Sequence, residues 1–185
     1  MYKEQYLSVL SNACDGAITY YVGENEEDVK DLENCTLFCK ESFSPKLKNV
    51  KLIKSQNPQL EFYKLSEKYK KDYLEENKLE CITGYYLHKD AVIGKNVTIG
   101  KGCVIGKCVI EDNVKIHPNV VVYAETKIMS DVVIEANTVI GAEGVMWVWD
   151  NEERVYLHQL GGVIIEKHCK IGSNVTIVRG SANEN

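Results

Sequence analysis

The stretch IGKNVTIGKGCVIGKCVI, residues 93–110, decides the fold because isoleucine returns in it every six residues, with a single step of five before Ile110. The full aliphatic set is Ile93, Ile99, Ile105, Ile110, Ile116, Val122, Ile128, Ile134, Ile140, Ile165, Ile171 and Ile177. A strict six-residue period is typical of hexapeptide β-helices, in which each repeat supplies one short strand and a corner. Three repeats make one coil, so the pattern predicts a parallel β-helix of about four coils. The period does not determine the handedness.

Two other positions repeat together with the aliphatic one. A glycine follows it in several repeats, where we expect a corner with a positive φ: Gly94, Gly100, Gly106, Gly141 and Gly172. A small or β-branched side chain precedes it by two residues and should also point inward. Cys103, Cys108 and Cys169 occupy this position, so we interpret them as core residues rather than nucleophiles.

The period lapses between Ile140 and Ile165, where the chain carries two tryptophans, a histidine and a Gly-Gly pair. We predict a loop insertion at 142–162, between the third and fourth coils, that leaves the prism at a corner without breaking the stack. Loops on a rigid scaffold are where binding and chemistry concentrate. The insertion is therefore the first place to look for a site.

Residues 1–84 show no such period and are predicted to form a small α/β domain, followed by the β-helix at 85–185. The segments 17–23, 35–40 and 50–55 have the β-branched and aromatic content of strands. Residues 57–77 begin with Asn-Pro and are predicted to form a helix whose lysines and glutamates face solvent. The first sixteen residues are interpreted as an amphipathic helix rather than an export signal.

Composition excludes several classes of function. The net charge of −5 and the pI near 5.5 argue against a nucleic-acid-binding protein. No apolar run approaches the roughly 20 residues of a membrane span. Seven cysteines without an export signal indicate a reduced, cytoplasmic protein. Cys35 and Cys39 lack a second Cys/His pair at ligand spacing, so no metal site is predicted.

Several segments together resemble one known family. HKDAVIGKNVTIG (88–100), IGAEGVMW (140–147) and VYLHQLGGVIIEKHCKIGSNVTIVRGS (155–181) are similar to the UDP-3-O-acylglucosamine N-acyltransferases of lipid A biosynthesis. GAITYYVG (16–23) and NPQLEFYKL (57–65) resemble the small uridine-binding domain of that family. The resemblance implies an α+β N-terminal domain followed by a parallel left-handed β-helix of hexapeptide repeats. It also implies a homotrimer with active sites between neighbouring prisms.

The activity implied by the resemblance is transfer of an acyl group from acyl carrier protein to the amine of a nucleotide-linked amino sugar, without a bound cofactor. Tyr20 stands at the aromatic position that stacks on uracil, and Asn25 is the second candidate for substrate binding. Gly23 and Glu26 replace the Asn and Tyr that the family places after the aromatic residue. In the insertion, Gly144, Trp147, Gln159 and Gly161 are the candidates for the acyl-donor groove.

A histidine is the expected base, because attack of an amine on a thioester needs a group that takes a proton near neutral pH. The catalytic histidine of the family lies in a coil beyond VRGS, past Asn185, which makes an incomplete form of the enzyme one hypothesis. His88, His117 and His168 occupy positions that favour structural roles. His158, in the insertion, stands where the family usually has proline and is the candidate base.

Two alternatives stay open beside the nucleotide-sugar N-acyltransferase. One is a non-catalytic hexapeptide protein that binds a ligand or serves as a scaffold, and the other is an acetyl-CoA-dependent sugar acetyltransferase. An enzyme that uses acyl carrier protein should present a long apolar groove near Trp147 and Trp149. An enzyme that uses CoA should present a shorter pocket with basic residues for phosphates, and a scaffold should show neither.

Overall fold

The computed structural model describes residues 5–182, and the chain divides into two compact units. One unit contains the chain up to Lys70, the segment Val145–Leu160 and the residues from Ser181. The other contains Lys71–Gly144 and Gly161–Gly180. The first boundary lies before residue 84, because Leu79–Ile82 and Tyr85–His88 join a sheet of the second unit.

The first unit is built on a four-stranded parallel sheet whose strands are adjacent in chain order: β1 Tyr6–Leu7, β2 Ala17–Tyr21, β3 Thr36–Lys40 and β4 Lys51–Ser55. Short 3₁₀ turns lie at Leu10–Asn12 and Glu26–Val29. The three strands predicted at 17–23, 35–40 and 50–55 are therefore confirmed. The helix predicted for the first sixteen residues is wrong over the described part, since Tyr6 and Leu7 pair with Ala17 and Ile18; residues 1–4 lie outside the description.

An α-helix follows the sheet, α1 Pro58–Ser66, and ends in the 3₁₀ turn Glu67–Tyr69. The side chain of Asn57 accepts a hydrogen bond of 3.1 Å from the backbone N–H of Leu60, and Pro58 occupies the first turn, where its missing N–H costs nothing. Phe62 and Tyr63 are buried in a core with Ile18. The helix is shorter than the predicted 57–77, and Glu76–Lys78 forms a separate 3₁₀ turn.

The second unit is a prism of three parallel sheets. Its strands are β5 Leu79–Ile82, β6 Tyr85–His88, β7 Val92–Ile93, β8 Thr98–Ile99, β9 Val104–Ile105, β10 Val109–Ile110, β11 Lys115–Ile116, β12 Val121–Val122, β13 Thr126–Ile128, β14 Val133–Ile134, β15 Val139–Ala142, β18 Val163–Ile165, β19 Lys170–Ile171 and β20 Thr176–Val178. The three sheets have the orders β18-β13-β10-β7, β19-β14-β11-β8 and β20-β15-β12-β9-β6-β5. All pairs are parallel except β5–β6.

The aliphatic residues of the repeat stack in register inside the prism. Ile110 pairs with Ile93 and Ile128, and Ile128 pairs with Ile165 across the interruption. The insertion therefore does not shift the stack, as predicted. Leu87, six residues before Ile93, pairs with Ile105 and extends the repeat by one position before the aliphatic set that begins at Ile93. Cys103 and Cys108 are buried in this core, and burial raises the pKa of the Cys108 thiol to about 12.

The insertion itself is an antiparallel hairpin of the first unit rather than an irregular loop. Its strands are β16 Trp147–Asp150 and β17 Glu153–Tyr156, with Asn151 in the turn at φ 55°. Val148 and Val155 pack with the core of the first unit. Val148 and Val155 face the core, whereas their neighbours in the strands, Trp147, Trp149, Arg154 and Tyr156, lie on the other face. This alternation with a period of two is the signal of a half-buried hairpin.

The corners of the prism correct the interpretation of the glycines. The positive φ belongs to the residue three positions after the aliphatic one: Asn96, Gly102, Asn113, Asn119, Glu125, Asp131, Asn137, His168 and Asn174. Of the five glycines that follow an aliphatic residue, only Gly141 has a positive φ. A Cβ on Gly100 would lie 2.5 Å from the backbone nitrogen of Pro118 in the next coil. Close approach of the backbone, and not dihedral freedom, is what requires glycine there.

A matched pair of substitutions tests this reason. Gly100→Ala should lower the free energy of unfolding by about 1–3 kcal/mol, since the new methyl group meets backbone that is held in the stack. Gly172 holds the same repeat position with nothing within 4 Å of its Cβ direction, so Gly172→Ala should be neutral or stabilise by up to about 1 kcal/mol. Urea unfolding of both variants measures the difference, and equal effects would contradict the explanation.

Within residues 5–182, none of the helices has the length and apolar character required to cross a bilayer.

Candidate active site

His158 lies two residues after the end of β17, and its backbone is fixed to the end of α1. Its N–H donates a 3.0 Å hydrogen bond to the hydroxyl of Ser66, which in turn donates a 2.7 Å hydrogen bond to the carbonyl of Tyr63. Ser66 is fully buried, so this attachment excludes water. The side chain of His158 is 17% exposed and can still be reached from solvent.

The imidazole of His158 is paired with the carboxylate of Glu67 through Nε2. This hydrogen bond is the main cause that lowers the pKa of Glu67, and the charge of Lys70 acts in the same direction. An ionised carboxylate can only accept, so Nε2 carries the proton and donates it. The pair has the arrangement in which a carboxylate fixes the tautomer and the orientation of a histidine.

A pocket of about 520 Å³ surrounds this pair within the first unit. Its lining comes from α1 and the turn that follows it, and from β17: Tyr63, Lys64, Glu67, Lys70, Arg154, Val155, Tyr156 and His158. Three cations face one carboxylate there, in a protein whose net charge is −5. The pocket therefore favours an anionic ligand next to a group that can exchange protons.

The other three histidines are placed less favourably for chemistry. His88 is fully buried, with Nδ1 accepting from the N–H of Asp90 at 3.1 Å and Nε2 lying 3.1 Å from Glu75. His168 occupies a corner at φ 62° and its side chain is 76% exposed. His117 lies 3.6 Å from Glu135 on the prism surface. His158 combines partial shielding, a carboxylate partner and a place in the lining of a pocket.

Tyr20 and Asn25 lie apart from this pocket's lining. The ring of Tyr20 packs on Phe62 with 5.0 Å between centroids, and its hydroxyl accepts a 3.4 Å hydrogen bond from Gln59. Burial raises the pKa of Tyr20. Asn25 starts a 3₁₀ turn: its amide oxygen accepts from the N–H of Glu27, and its amide nitrogen donates to Asp28. Their role in binding substrate stays a prediction.

The four candidates for the acyl-donor groove are divided between the units. Trp147 and Gln159 belong to the first unit, whereas Gly144 and Gly161 belong to the second. Trp147 is exposed, Gln159 is buried, and Gly161 donates a 3.0 Å hydrogen bond to the carbonyl of Gly180. None of the four lines the pocket around His158. Their role as a groove also stays a prediction.

The second unit has pockets of its own. One of them is mainly apolar, measures about 420 Å³ and is lined by Leu74, Glu76, Leu79, Tyr86, Val104, Val121 and Tyr123. Elsewhere in the second unit, Arg179 is buried, donates a 2.7 Å hydrogen bond to the carbonyl of Ala124 and lies 3.1 Å from the ring centre of Tyr73. Among residues 5–182, no three His, Cys, Asp or Glu side chains are grouped so that they could hold a metal ion.

Sequence reasoning proposed His158 as the base, which stays a prediction, but did not identify the residues that line the pocket around it. Glu67 and Lys70 were assigned to a solvated helix face, and Arg154 received no role. The available signal was the alternation in WVWD and ERVY on either side of Asn151, which predicts a hairpin with Arg154 and Tyr156 on one face. The pairing of Glu67 with His158 joins residues that are far apart in the chain, and no local pattern indicates it.

Comparison with known proteins identifies the repeat class. Residues 107–142 match the family described as bacterial transferase hexapeptide (six repeats), and residues 162–180 match the hexapeptide repeat of succinyl-transferase. No curated protein matches the chain. Repeats of this class imply a left-handed β-helix and indicate a transferase of the acyl or acetyl type. The chain thus carries hexapeptide-transferase repeats in its prism.

Proposed function

We propose that the protein is an acyltransferase that moves an acyl group from acyl carrier protein or CoA to the amine of a nucleotide-linked amino sugar. Lipid A or surface-polysaccharide biosynthesis is the setting that the sequence resemblance implies. The observation that carries the proposal is the His158–Glu67 pair inside a cationic pocket. Hexapeptide-repeat proteins are commonly trimeric, and we extend the proposal to a homotrimer.

In the proposed reaction the amine nitrogen attacks the carbonyl carbon of the thioester, a C–N bond forms and the C–S bond breaks. His158 takes the proton that the amine loses and returns it to the departing thiolate, so that an amide and a free thiol result. Glu67 acts as a positioning residue, because its negative charge stabilises the imidazolium that forms during the transfer. Assistance of this kind is typically worth about 10²–10⁴-fold in rate.

The charge of the pocket bears on the donor. Lys64, Lys70 and Arg154 line it, and this is the pattern expected of a site that receives phosphates rather than a long hydrocarbon chain. CoA and a nucleotide sugar both carry a diphosphate. The cations therefore support a nucleotide-bearing ligand at this pocket, with acyl carrier protein as the other donor to be tested.

The test uses the purified full chain with acyl-CoA and acyl–acyl carrier protein donors of short and long chain length. UDP- and dTDP-linked amino sugars serve as acceptors, and the amide product is detected by mass spectrometry. A thiol reagent is unsuitable because Cys14 and Cys81 are exposed and would react. An amide product with at least one donor and acceptor pair is expected. Absence of product with every pair, from folded protein, would overturn the proposal, and binding without product would favour the non-catalytic alternative.

A further inference from the structure

The outer face of the hairpin exposes an aromatic and cationic cluster. Trp147 and Trp149 are 4.9 Å apart between ring centroids, in an edge-to-face arrangement. The guanidinium of Arg154 lies 4.7 Å from the ring centre of Trp147 and 5.3 Å from that of Trp149. Tyr156, opposite Trp147 in the ladder, is 49% exposed. We call these four residues the hairpin face.

The hairpin face is not needed to hold the hairpin in place. Val148 and Val155, on the opposite side of the same strands, already pack in the core with α1. Large aromatic rings kept in water on a strand pair, where threonine or lysine would serve, indicate a surface that binds something. Arg154 and Tyr156 also line the pocket of His158, so the face continues into that pocket.

The cations at this junction differ in availability. Lys64 is held by Asp150 at 2.7 Å. Lys70 is exposed, and its contact with Glu67 is loose, with 3.7 Å between the ammonium nitrogen and the carboxylate oxygen. Arg154 forms no ion pair among residues 5–182 and lies beside the tryptophan rings. Lys70 and Arg154 are thus the two cations that a ligand could engage without breaking a close ion pair, and Arg154 is already placed beside the two indole rings. Two cations beside exposed rings suit a ligand that combines a flat ring with a diphosphate.

We propose that the hairpin face, together with Lys70, binds the nucleoside diphosphate part of a substrate. The base stacks against Tyr156 and Trp147, and the diphosphate lies along Lys70 and Arg154. The group that the nucleotide carries is taken from the proposed function, and to that extent this proposal rests on it. A nucleotide sugar presents a uridine or thymidine diphosphate, whereas CoA presents an adenosine diphosphate. The site is separate from Tyr20, whose hydroxyl and ring are already engaged by Gln59 and Phe62.

Intrinsic fluorescence reports directly on the hairpin face, because the chain has two tryptophans and both lie in it. The full chain is titrated with UDP, ADP and CoA, and separately with uridine and with pyrophosphate. A saturable change in emission is expected with a diphosphate nucleotide, with much weaker binding of uridine or pyrophosphate alone. Tighter binding of UDP than of ADP and CoA would identify the nucleotide sugar as the ligand of this site, and the reverse order would identify the CoA donor.

Three variants make the assignment specific. Tyr156→Ala should raise the Kd about tenfold, and Lys70→Ala should raise it and flatten its salt dependence. Lys68→Ala is the matched control, because Lys68 is exposed in the same turn and does not line the pocket. Tyr20→Leu, which keeps apolar packing on Phe62, tests the competing site, in which the base would stack on Tyr20 as the sequence resemblance implies. Loss of binding in Tyr20→Leu but not in Tyr156→Ala would overturn the inference.

The two proposals fail in different ways. Nucleotide binding that depends on Tyr156 without any amide product would retain this site and reject the acyl transfer. Amide product without any nucleotide-dependent change in emission would retain the acyl transfer and reject this site. A wavelength of maximum emission that shifts with protein concentration but not with added nucleotide would also reject this site. The hairpin face would then be a contact between copies of the chain.

Discussion

Replacement of His158 by alanine is expected to lower the kcat of acyl transfer by about 10²–10⁴-fold, the range typical of a lost general base. In the proposed reaction the imidazole, which is partly shielded and paired with Glu67, accepts the proton, and the backbone of His158 is held by Ser66 independently of the side chain. The fold should therefore survive the change. Steady-state kinetics with the donor and acceptor pair that gives product measures the effect.

Two further variants separate a catalytic from a structural role. His158→Gln can still donate to Glu67 but cannot exchange protons, so it should be as inactive as the alanine variant while remaining as stable as the wild type. His168→Asn should leave kcat unchanged, because His168 is an exposed corner residue whose positive φ suits Asn. Full activity of His158→Gln would exclude His158 as the base.

The His158–Glu67 pair also has a pH dependence of known sign. The hydrogen bond lowers the pKa of Glu67, so the folded protein binds this proton less readily than the unfolded chain does. The contribution to stability is present above the ordinary carboxyl pKa and disappears as the pH falls through the lower value of the folded state. The difference in stability between the wild type and His158→Ala should accordingly shrink in acid.

Ile134→Ala is expected to lower the free energy of unfolding by about 2–5 kcal/mol, the range for large-to-small changes in a packed core. Ile134 is fully buried and stacks between Ile116 and Ile171 in the middle of one sheet. The cavity cannot collapse easily, because the coils on both sides are held by backbone ladders. Chemical denaturation followed by circular dichroism measures the change.

The control for this prediction is Ile164→Ala. Ile164 is 43% exposed on the outside of β18, next to the inward-facing Ile165. Both substitutions remove the same atoms and the same β-branching from a short strand, so they differ mainly in burial. Ile164→Ala should cost less than about 0.5 kcal/mol. Equal destabilisation by the two variants would mean that the interior of the prism does not carry its stability.

The sequence predicted the prism well because its stack is a local property. One aliphatic residue every six positions specifies both which side chains point inward and which residues pair, so Ile93, Ile110, Ile128 and Ile165 align as the spacing requires. The prediction that these glycines adopt a positive φ was wrong for four of the five. Their repetition is visible in the sequence, but the proximity of Gly100 to Pro118 depends on how closely successive coils pack.

The candidate site was only partly predictable. His158 was identified because it interrupts a regular repeat, yet Glu67, Lys70 and Arg154 come from a helix turn and a hairpin strand that are remote in the chain. Local rules described the first two as solvated charges and gave the third no role. Their grouping results from the packing of Val148 and Val155 on α1, which is a tertiary event.

By itself the sequence determined a column of six-residue repeats, the position of its single interruption and the strands of the first domain, because periodicity and β propensity act over a few residues. Only the tertiary structure decided that the interruption is a hairpin of the first unit and that His158 meets Glu67 in a cationic pocket. Such contacts join distant segments through the burial of apolar surface. Because this driving force has no direction, it produces no regular spacing in the sequence from which the partners could be predicted.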